Sequence, residues 1–540
     1  MAGLRCVVAV PAKNEEGRIG SCLRALAAQS VGRESFEVIV VADACNDATE
    51  ATALATAREL GLRLAVIAGP GTGSGGARRA GMDAAAERLL SSGRPDGLLA
   101  TTDADTCPAP DWLERQLAHL HNGAKVIAGL IELESEEERQ LPASVLRRRE
   151  ADAELRLAGV RALDPSAAHH HAAGASLGMT AAVYRQVGGL EPLAALEDEA
   201  FAARLQTHEI QVLRASDVRV RTSARADGRA GRGLSVDLAV SQWAASRRYL
   251  ADAFTTQQLR AEKDATVSVV IPAKRCAETI AGVITRTVGP LRDAGLVDEL
   301  LVIDANSDDG TAGVARDAGA IVCQQDEIAP EFGPALGKGD AMWRALSASS
   351  GEIVCFLDGD TEDPDGRHLR GLLGPLLCHP EVQLVKGAFE RPLRWGERML
   401  EGEGGRVTEL MARPLLNFHE PRLAGFSQPL AGEFAGRRPL LEALPFPVGY
   451  GVEIAVLIDA LRLVGLDALA ECDLGSRQNR HQPLRALGEM AYAVLAAVER
   501  RVGERSPARG HYMRPWEDYA VTRIPVEERP PLTSVAQQVA

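Results

Sequence analysis

The sequence predicts a mostly parallel, doubly wound α/β fold that occurs twice in the chain. Strand-like apolar runs alternate with helix-like segments, the pattern of an open sheet with helices on both faces. Pro11 and Pro272, which close the first strand of each half, are 261 residues apart, as are Asp43 and Asp304 after the second strand. A repeat of this length indicates a duplicated domain, because each copy has enough elements for its own core.

In the first half, predicted strands and helices alternate without long gaps. The predicted strands are residues 5–10, 36–42, 62–67 and a run near 100, and the predicted helices are residues 19–29 and 49–60. Residues 69–79 are a glycine-rich loop that leads into a further helix. The loop lacks the G-K-[ST] ending of a P-loop, so we interpret it as a place where the backbone passes close to a ligand.

The second half repeats these elements. Its predicted strands are residues 267–271, 299–303 and a run that ends near 357, and a helix opens at residues 337–341. We expect a first domain at residues 1–235, a helical linker at 236–265 and a second domain at 266–505. Residues 506–540, rich in proline and charge, are expected to form an irregular tail or an arm that docks on a neighbour.

Two aspartate pairs end predicted strands, Asp103 with Asp105 and Asp358 with Asp360. Alternate residues of an extended chain point the same way, so each pair can converge on one cation at the sheet edge where such folds bind ligands. Carboxylate oxygens suit Mg²⁺ or Mn²⁺. A single pair could equally be a turn former or a helix cap, and the repetition is what favours a metal site.

Bulk properties exclude several classes of protein. The chain has 540 residues, a net charge of −14 and a pI of about 5.4, which argues against nucleic acid or an anionic membrane as main partner. Apolar runs are too short for a membrane helix, and there is no signal-peptide pattern. The nine cysteines form no C-x-x-C pair, so we expect a reducing, cytoplasmic location.

The repeated pattern fits an enzyme that uses a nucleotide-activated sugar. Such an enzyme needs polar strand ends for the nucleoside, a cation for the diphosphate and a basic group for the departing charge. Residues 1–235 also resemble the family 2 glycosyltransferases of GT-A fold, through P-A-x-N-E-E at Pro11, V-x-D-x-x-x-D-x-T at Val41 and D-x-D at Asp103. The resemblance implies that Pro11, Glu15, Asp43 and Asp103 bind the donor and that Asp103 and Asp105 hold the metal.

In that family a later E-D pair supplies the catalytic base, here Glu197-Asp198. A base of this kind implies single displacement with inversion. From the residues alone, Glu197 and Asp198 could also be an acid pair that a helix N-terminus favours.

Residues 266 to about 500 resemble the glucosyl-3-phosphoglycerate synthases, which are retaining GT-A enzymes. The resemblance lies in residues 337–344, 358–360, 405–415 and 449–454. It implies UDP-glucose or GDP-glucose as donor, 3-phosphoglycerate as acceptor and Mg²⁺ or Mn²⁺ as cofactor. The implied donor-site residues are Pro272, Ala273, Lys274, Asp304, Ala305, Lys338, Asp358 and Gly359. Gly405, Arg406 and Thr408 are implied to hold the acceptor, Asp358 and Asp360 the metal, and Lys338 and Glu453 to take part in catalysis.

This half departs from the family pattern at three places. Cys276 stands where a nucleoside-binding Glu is usual, and Ala305 where Ser is common. Asn479 falls on the position of a metal-binding His, with His481 two residues away as a possible replacement. The run at residues 169–171, three histidines, is not expected to bind metal, because adjacent side chains cannot all face one ion.

Other functions stay open at this point. The donor could be GDP-mannose or the acceptor another small acid. One copy could be a non-catalytic sugar-nucleotide-binding scaffold. A nucleotidyltransferase is less well supported, because its glycine-rich N-terminal signature is missing. A homodimer is compatible with the sequence.

Overall fold

A computed structural model describes residues 3–193, 195–228, 231–395, 398–400, 402, 404–477, 483–503 and 510–539. The chain divides into two compact units, Met1–Gln242 and Trp243–Ala540, called unit 1 and unit 2 below.

Unit 1 is built on an eight-stranded mixed sheet. Its strands are β1 (Cys6–Ala12), β2 (Phe36–Ala42), β3 (Leu64–Ala68), β4 (Leu98–Thr101), β5 (Thr106–Pro108), β6 (Val126–Leu133), β7 (Leu177–Thr180) and β8 (Val212–Thr222). Its helices are α1 (Ile19–Ala27), α2 (Thr49–Leu60), α3 (Ser74–Ser91), α4 (Trp112–His121), α5 (Ser135–Arg139), α6 (Ala143–Arg161), α7 (Ala181–Gln186) and α8 (Glu197–Thr207). Helix α9 (Leu234–Ser246) spans the boundary between the units.

The strand order is β3-β2-β1-β4-β7-β6-β8-β5. Strand β1 is parallel to β2 and β4, whereas β7 is antiparallel to β4 and β6. Along β1, Val8 and Val10 belong to one buried cluster and Val7 and Ala9 to another. Since successive side chains of a strand face opposite sides, both faces of this sheet are covered, which explains the nearly continuous apolar run.

Unit 2 repeats this sheet. Its strands are β9 (Arg248–Leu250), β10 (Val267–Ala273), β11 (Glu299–Asp304), β12 (Ile321–Gln324), β13 (Ile353–Phe356), β14 (Leu384–Glu390), β15 (Leu393–Trp395), β16 (Arg398–Leu400), β17 (Phe434–Arg437), β18 (Phe446–Pro447), β19 (Leu469–Ser476), β20 (His511–Arg514), β21 (Ala520–Arg523) and β22 (Glu528–Arg529). The large sheet has the order β12-β11-β10-β13-β17-β14-β19-β9, the counterpart of the order in unit 1, with β17 antiparallel to both neighbours.

The helices of unit 2 are α10 (Thr256–Glu262), α11 (Ile280–Gly282), α12 (Gly289–Asp293), α13 (Thr311–Asp317), α14 (Lys338–Ala348), α15 (Gly366–Cys378), α16 (Arg413–His419), α17 (Arg438–Glu442), α18 (Val452–Val464), α19 (Leu484–Val502) and α20 (Leu532–Val539). Two π-helical segments, Val283–Val288 and Thr408–Ala412, precede α12 and α16.

The segment predicted as a helical linker, residues 236–265, is not helical throughout. Between α9 and α10, strand β9 pairs in parallel with β19, with Tyr249 opposite Cys472. The prediction was wrong here because β19 would otherwise be an open sheet edge, and pairing satisfies its backbone groups. The indole of Trp243 donates to the Leu469 carbonyl at 2.7 Å, which further fastens this segment to unit 2.

The end of the chain, predicted as an irregular tail, is also ordered in its described part. Strands β20 and β21 form a hairpin, and β22 pairs with β18. Arg529 explains why the end of the chain has a regular structure. Its Nε donates to Asp340 Oδ1 at 2.7 Å and its Nη2 to Asp340 Oδ2 at 3.2 Å. Asp340 is fully buried on α14 and also accepts from Arg344. The buried carboxylate therefore holds the end of the chain against the start of α14.

We expect Arg529→Ala to lower the free energy of unfolding of unit 2 by about 3 kcal/mol, the lower end of the range for breaking a buried ion pair, because Asp340 keeps Arg344. Chemical denaturation of the full chain measures this change. The matched control is Arg523→Ala, which removes an exposed pair with Glu527 and should change stability by about 0–1 kcal/mol. Equal effects of the two variants would contradict this role for Arg529.

Candidate active sites

In unit 2 the predicted donor residues lie at the carboxyl edge of the sheet. Pro272 and Ala273 end β10, and Asp304 ends β11. Asp358 follows β13 after a single buried residue, Leu357. Since β10, β11 and β13 are parallel neighbours, their ends meet at one edge, where open α/β sheets bind ligands.

Three charged side chains converge at this edge. Lys338, the first residue of α14, places Nζ 2.7 Å from Asp358 Oδ1 and 2.9 Å from Glu453 Oε1. Glu453 lies in the first turn of α18 and is buried. Burial alone would raise the pKa of Asp358, but the nearby Lys338 charge holds it at about 2, and both carboxylates raise the pKa of Lys338. Lys338 is therefore a fixed ammonium.

Gly337 makes this placement of Lys338 possible. It has φ +143°, and a Cβ there would lie 2.9 Å from the Val448 carbonyl oxygen. Only glycine allows the chain to enter α14 this close to the segment before α18.

Lys338 and Asp358 lie directly against the backbone of Gly432. A Cβ at this position would lie 2.2 Å from Lys338 Nζ and 2.3 Å from Asp358 Oδ1. The position of the two charged groups thus depends on the absence of a side chain at residue 432.

Gly432→Ala is therefore expected to lower kcat/KM by about a hundredfold, because Lys338 must move by roughly 1 Å or more to relieve the contact. Steady-state kinetics with a nucleoside-diphosphate sugar as donor measures the loss. Gly313→Ala is the matched control: a Cβ on Gly313, in helix α13, meets nothing within 4 Å. A loss shared by both variants would show that the effect does not come from the site.

Among the described residues, one carboxylate oxygen of each strand-end aspartate, Asp43 and Asp304, has no hydrogen-bond partner. Asp304 Oδ2 accepts from the Ser307 N–H at 3.0 Å, and Asp43 Oδ1 from the Gly71 N–H at 2.6 Å. The other oxygens, Asp304 Oδ1 and Asp43 Oδ2, are buried and unpaired. A buried acceptor without a donor is costly, so both positions are suited to a ligand that offers N–H or O–H groups.

Cys276 occupies the place that Glu15 has in unit 1. The Glu15 N–H donates to Thr49 Oγ1 at 2.7 Å, and the Cys276 N–H to Thr311 Oγ1 at 2.9 Å. Burial raises the pKa of the Cys276 thiol to about 11. Unit 2 therefore offers a neutral group here, where unit 1 offers a carboxylate. Of the remaining predicted residues, Ala305 follows β11 directly and Lys274 is exposed.

The predicted acceptor residues form a turn that leads into a helix. Gly405 has φ +67°, and its carbonyl accepts from the Glu409 N–H at 3.0 Å. Arg406 is half-buried and Thr408 is buried. Helix starts carry unpaired N–H groups, so this segment combines backbone donors, a hydroxyl and a guanidinium, as an anionic acceptor needs.

Two cations near this site were not predicted. Lys386 is buried in β14, and its Nζ donates to the Ala431 carbonyl at 2.5 Å. Burial, partly offset by Glu453, lowers the pKa of Lys386 to about 8. Arg477, buried at the end of β19, pairs with Glu433. A lysine inside an apolar strand run was the available signal for Lys386, whereas Arg477 had none.

In unit 1 the predicted residues line a cavity of about 320 Å³. Its described lining includes Pro11, Glu15, Asp43, Asp103, Asp105, Glu197 and Asp198. Glu197 opens α8 and Asp198 follows it, so the interpretation as an N-terminal acid pair describes their position correctly. Both also face the site: Asp198 Oδ2 accepts from the Gly174 N–H at 3.2 Å, and burial raises the pKa of Asp198. A raised pKa suits a group that exchanges protons.

Two arginines in unit 1 were missed. Arg78 on α3 donates to Asp103 Oδ1 and to Glu197 Oε1, each at 2.8 Å. Arg225, after β8, lies 2.9 Å from Asp105 Oδ2 and pairs with Glu15. No local pattern points to Arg225, because its contact with Glu15 joins residues 210 positions apart.

Asn479 and His481, predicted as metal ligands, lie outside the described residues. Among the residues that are described, no group of three or more His, Cys, Asp or Glu side chains is arranged to hold a metal ion. A site at the aspartate pairs would therefore need ligands from elsewhere, such as the oxygens of a bound diphosphate.

Comparison with known proteins decides the family. The model of glycosyl transferase family 2 matches residues 7–176 and 268–422, together more than half of the chain. The chain belongs to this family. The match covers a segment of each unit, so the predictions of tandem GT-A domains and of a hexosyltransferase enzyme are confirmed.

Individual relatives match about half of this family 2 chain. Glucosyl-3-phosphoglycerate synthase of Mycolicibacterium smegmatis is 41% identical over 299 residues, 54% of this chain and 98% of the relative. The crystal structure of mannosyl-3-phosphoglycerate synthase from Rubrobacter xylanophilus is 42% identical, with TM-score 0.50, and covers 55% of this chain and 99% of that one. Glucosyl-3-phosphoglycerate synthase from Mycobacterium tuberculosis, solved with Mn²⁺, UDP-glucose and phosphoglyceric acid, is 41% identical with TM-score 0.48 over 52% of this chain and 95% of that one.

Within the described part of the chain, no helix has the length and apolar character needed to span a membrane.

Proposed function

We propose that unit 2 transfers a hexose, glucose in the first instance, from a nucleoside-diphosphate sugar to 3-phosphoglycerate with retention of configuration. The observation that carries this proposal is the convergence of Lys338 on Asp358 and Glu453 at the carboxyl edge of the sheet. The relative that is 41% identical over nearly its whole length, a glucosyl-3-phosphoglycerate synthase, supports the same reaction.

The donor would lie across the ends of β10, β11 and β13. The unpaired Asp304 Oδ1 would accept from the nucleoside. Lys338 has three N–H donors and directs two of them at carboxylates, which leaves one for a diphosphate oxygen. Because this ammonium is held in place by two carboxylates, it stabilises the departing charge without reorganisation.

Asp358 and Asp360 are the residues that would hold Mg²⁺ or Mn²⁺. Carboxylate oxygens are the right donors for such an ion. A bound divalent ion would neutralise the diphosphate leaving group.

The acceptor would be held by Gly405, Arg406 and Thr408. Its phosphate and carboxylate match the guanidinium, the hydroxyl and the N–H groups at this helix start. No enzyme nucleophile is required: the acceptor hydroxyl attacks from the face that the diphosphate leaves, and its proton passes to a departing phosphate oxygen. The contribution of unit 2 is then mainly positioning and electrostatic stabilisation.

Similar proteins differ in the sugar: one is named a glucosyl-3-phosphoglycerate synthase and another a mannosyl-3-phosphoglycerate synthase. Cys276 and Ala305 stand near the expected nucleoside position. We therefore propose glucose on UDP or GDP, with GDP-mannose as the competing donor.

A mass-spectrometric product assay tests the proposal. The full chain with Mg²⁺ and 3-phosphoglycerate is given UDP-glucose, GDP-glucose or GDP-mannose in separate reactions. A hexosyl-phosphoglycerate is expected with one glucose donor. A product with GDP-mannose alone would replace glucose by mannose, and no product with any donor from folded protein would contradict the proposal and favour a binding role for unit 2.

Unit 1 is proposed to be a second sugar-nucleotide site, with its own acceptor and with Asp198 as the base. The raised pKa of Asp198 and the cavity around it support this role. We further propose that the protein works in a reducing compartment such as the cytoplasm, because all nine cysteines are free thiols. We also propose a homodimer, which rests on the sequence alone.

A further inference from the structure

The aspartate pair of unit 1 is already in contact with cations of the protein itself. Arg78 Nη2 donates to Asp103 Oδ1 at 2.8 Å, and Arg225 Nη2 lies 2.9 Å from Asp105 Oδ2. Both arginine side chains are largely buried, with 7% and 14% of their surface exposed. Each aspartate that was predicted to bind the metal thus has its own guanidinium.

Arg78 is held from several sides. Besides Asp103, it donates through Nε to Glu197 at 2.8 Å and through Nη1 to Thr101 Oγ1 and to the Gly174 carbonyl, each at 3.1 Å. A guanidinium does not lose its proton in a protein, so Arg78 cannot leave Asp103 by becoming neutral. Moving it would leave Glu197, which is buried, without this partner.

Arg225 is fixed by Glu15. Its two terminal nitrogens contact both carboxylate oxygens of Glu15, a bidentate arrangement, while Nη2 also reaches Asp105. Glu15 is itself buried. In unit 2 the residue in the place of Glu15 is Cys276, which offers no carboxylate to anchor an arginine. The pair between Arg225 and Glu15 therefore has no counterpart at Cys276.

A divalent ion does not fit this arrangement. It would need oxygens of Asp103 and Asp105 at about 2.0–2.2 Å, but one oxygen of each carboxylate already contacts a fixed guanidinium, and the two guanidinium charges would repel a dication that approached the remaining oxygens. We propose that Arg78 and Arg225 take the place of a divalent cation in unit 1, so that this unit works without a metal. The expectation of one metal ion per chain, in unit 2, rests in addition on the proposed function.

Mn²⁺ binding measured by electron paramagnetic resonance tests this directly, since free Mn²⁺ gives a signal that is lost on binding. The full chain carrying Asp358→Asn and Asp360→Asn isolates unit 1. This protein is expected to bind no Mn²⁺ at concentrations where one ion per chain would be detected. If this protein binds one Mn²⁺ per chain, and adding Asp103→Asn and Asp105→Asn abolishes that binding, the proposal is overturned. This result needs no arginine variant.

Arg78→Gln combined with Arg225→Gln in the same background is expected to create a site for one Mn²⁺. Arg225→Lys, which keeps the charge, and Arg221→Gln, which removes an exposed charge on β8, should both bind none. A folded variant with Arg78→Gln and Arg225→Gln that binds no Mn²⁺ would overturn the role given to the two arginines. Failure of the wild-type chain to bind any Mn²⁺ would instead contradict the proposed function of unit 2.

Discussion

Asp358→Asn combined with Asp360→Asn is expected to lower hexosyl transfer to 3-phosphoglycerate by at least about a thousandfold. The two carboxylates are the proposed ligands for the ion that neutralises the leaving diphosphate, and loss of such stabilisation raises the barrier of the chemical step. Rates are measured as product formed per minute by mass spectrometry at saturating donor.

The matched control for this variant is Asp103→Asn with Asp105→Asn, the equivalent pair in unit 1. It should leave transfer to 3-phosphoglycerate within about twofold of the wild type. If activity is lost in the Asp103→Asn and Asp105→Asn variant instead, the reaction takes place in unit 1, which contradicts the proposed function of unit 2.

Lys338→Met is expected to lower kcat/KM by about a hundredfold to a thousandfold, because a preorganised positive charge at the leaving group is lost. It should also reduce the free energy of unfolding by about 3 kcal/mol, since Asp358 and Glu453 lose their shared partner. Kinetics and chemical denaturation measure the two effects. Lys263→Met, which removes a pair with Asp298 elsewhere in unit 2, is the control and should leave kcat/KM unchanged.

The same variant should alter the response of unit 2 to acid. With Lys338 present, the pKa of Asp358 is depressed from its ordinary 3.8 to about 2, so it contributes on the order of 2 kcal/mol of stability above pH ~4. This contribution is lost as the pH falls towards 2. In Lys338→Met the depression disappears, so stability should fall less between pH 4 and 2 than in the wild type. An unchanged acid profile would show that Lys338 does not hold Asp358 ionised.

The fold could be predicted because its signals are local. Apolar runs such as that of β2 and the two strand-end aspartates at Asp43 and Asp304 repeat at a constant spacing. The errors fell where pairing partners are distant in sequence: β9 joins β19 more than 200 residues away, and β22 is held by a carboxylate on α14. Short strands with little apolar pattern carry no such signal in one sequence.

The site could be predicted only in part, for the same reason. Lys338 and the aspartates stand next to glycines or at strand ends, so their sequence context points to them. The sequence context does not point to the partners that decide their chemistry. Arg78 reaches Asp103 from one turn inside a helix, and Arg225 reaches Glu15 across unit 1. Sequence reasoning therefore treated the two aspartate pairs as equivalent, whereas their surroundings differ.

Retaining transfer by unit 2 is tested by following a ¹³C-labelled hexose by NMR as the full chain reacts with 3-phosphoglycerate and the donor that gives product. We expect the label to move from the nucleoside diphosphate to the hydroxyl oxygen of 3-phosphoglycerate, the acceptor to keep its phosphate, and the anomeric configuration of the donor to be retained. Release of the label only as free hexose, or a product with inverted configuration, would contradict it.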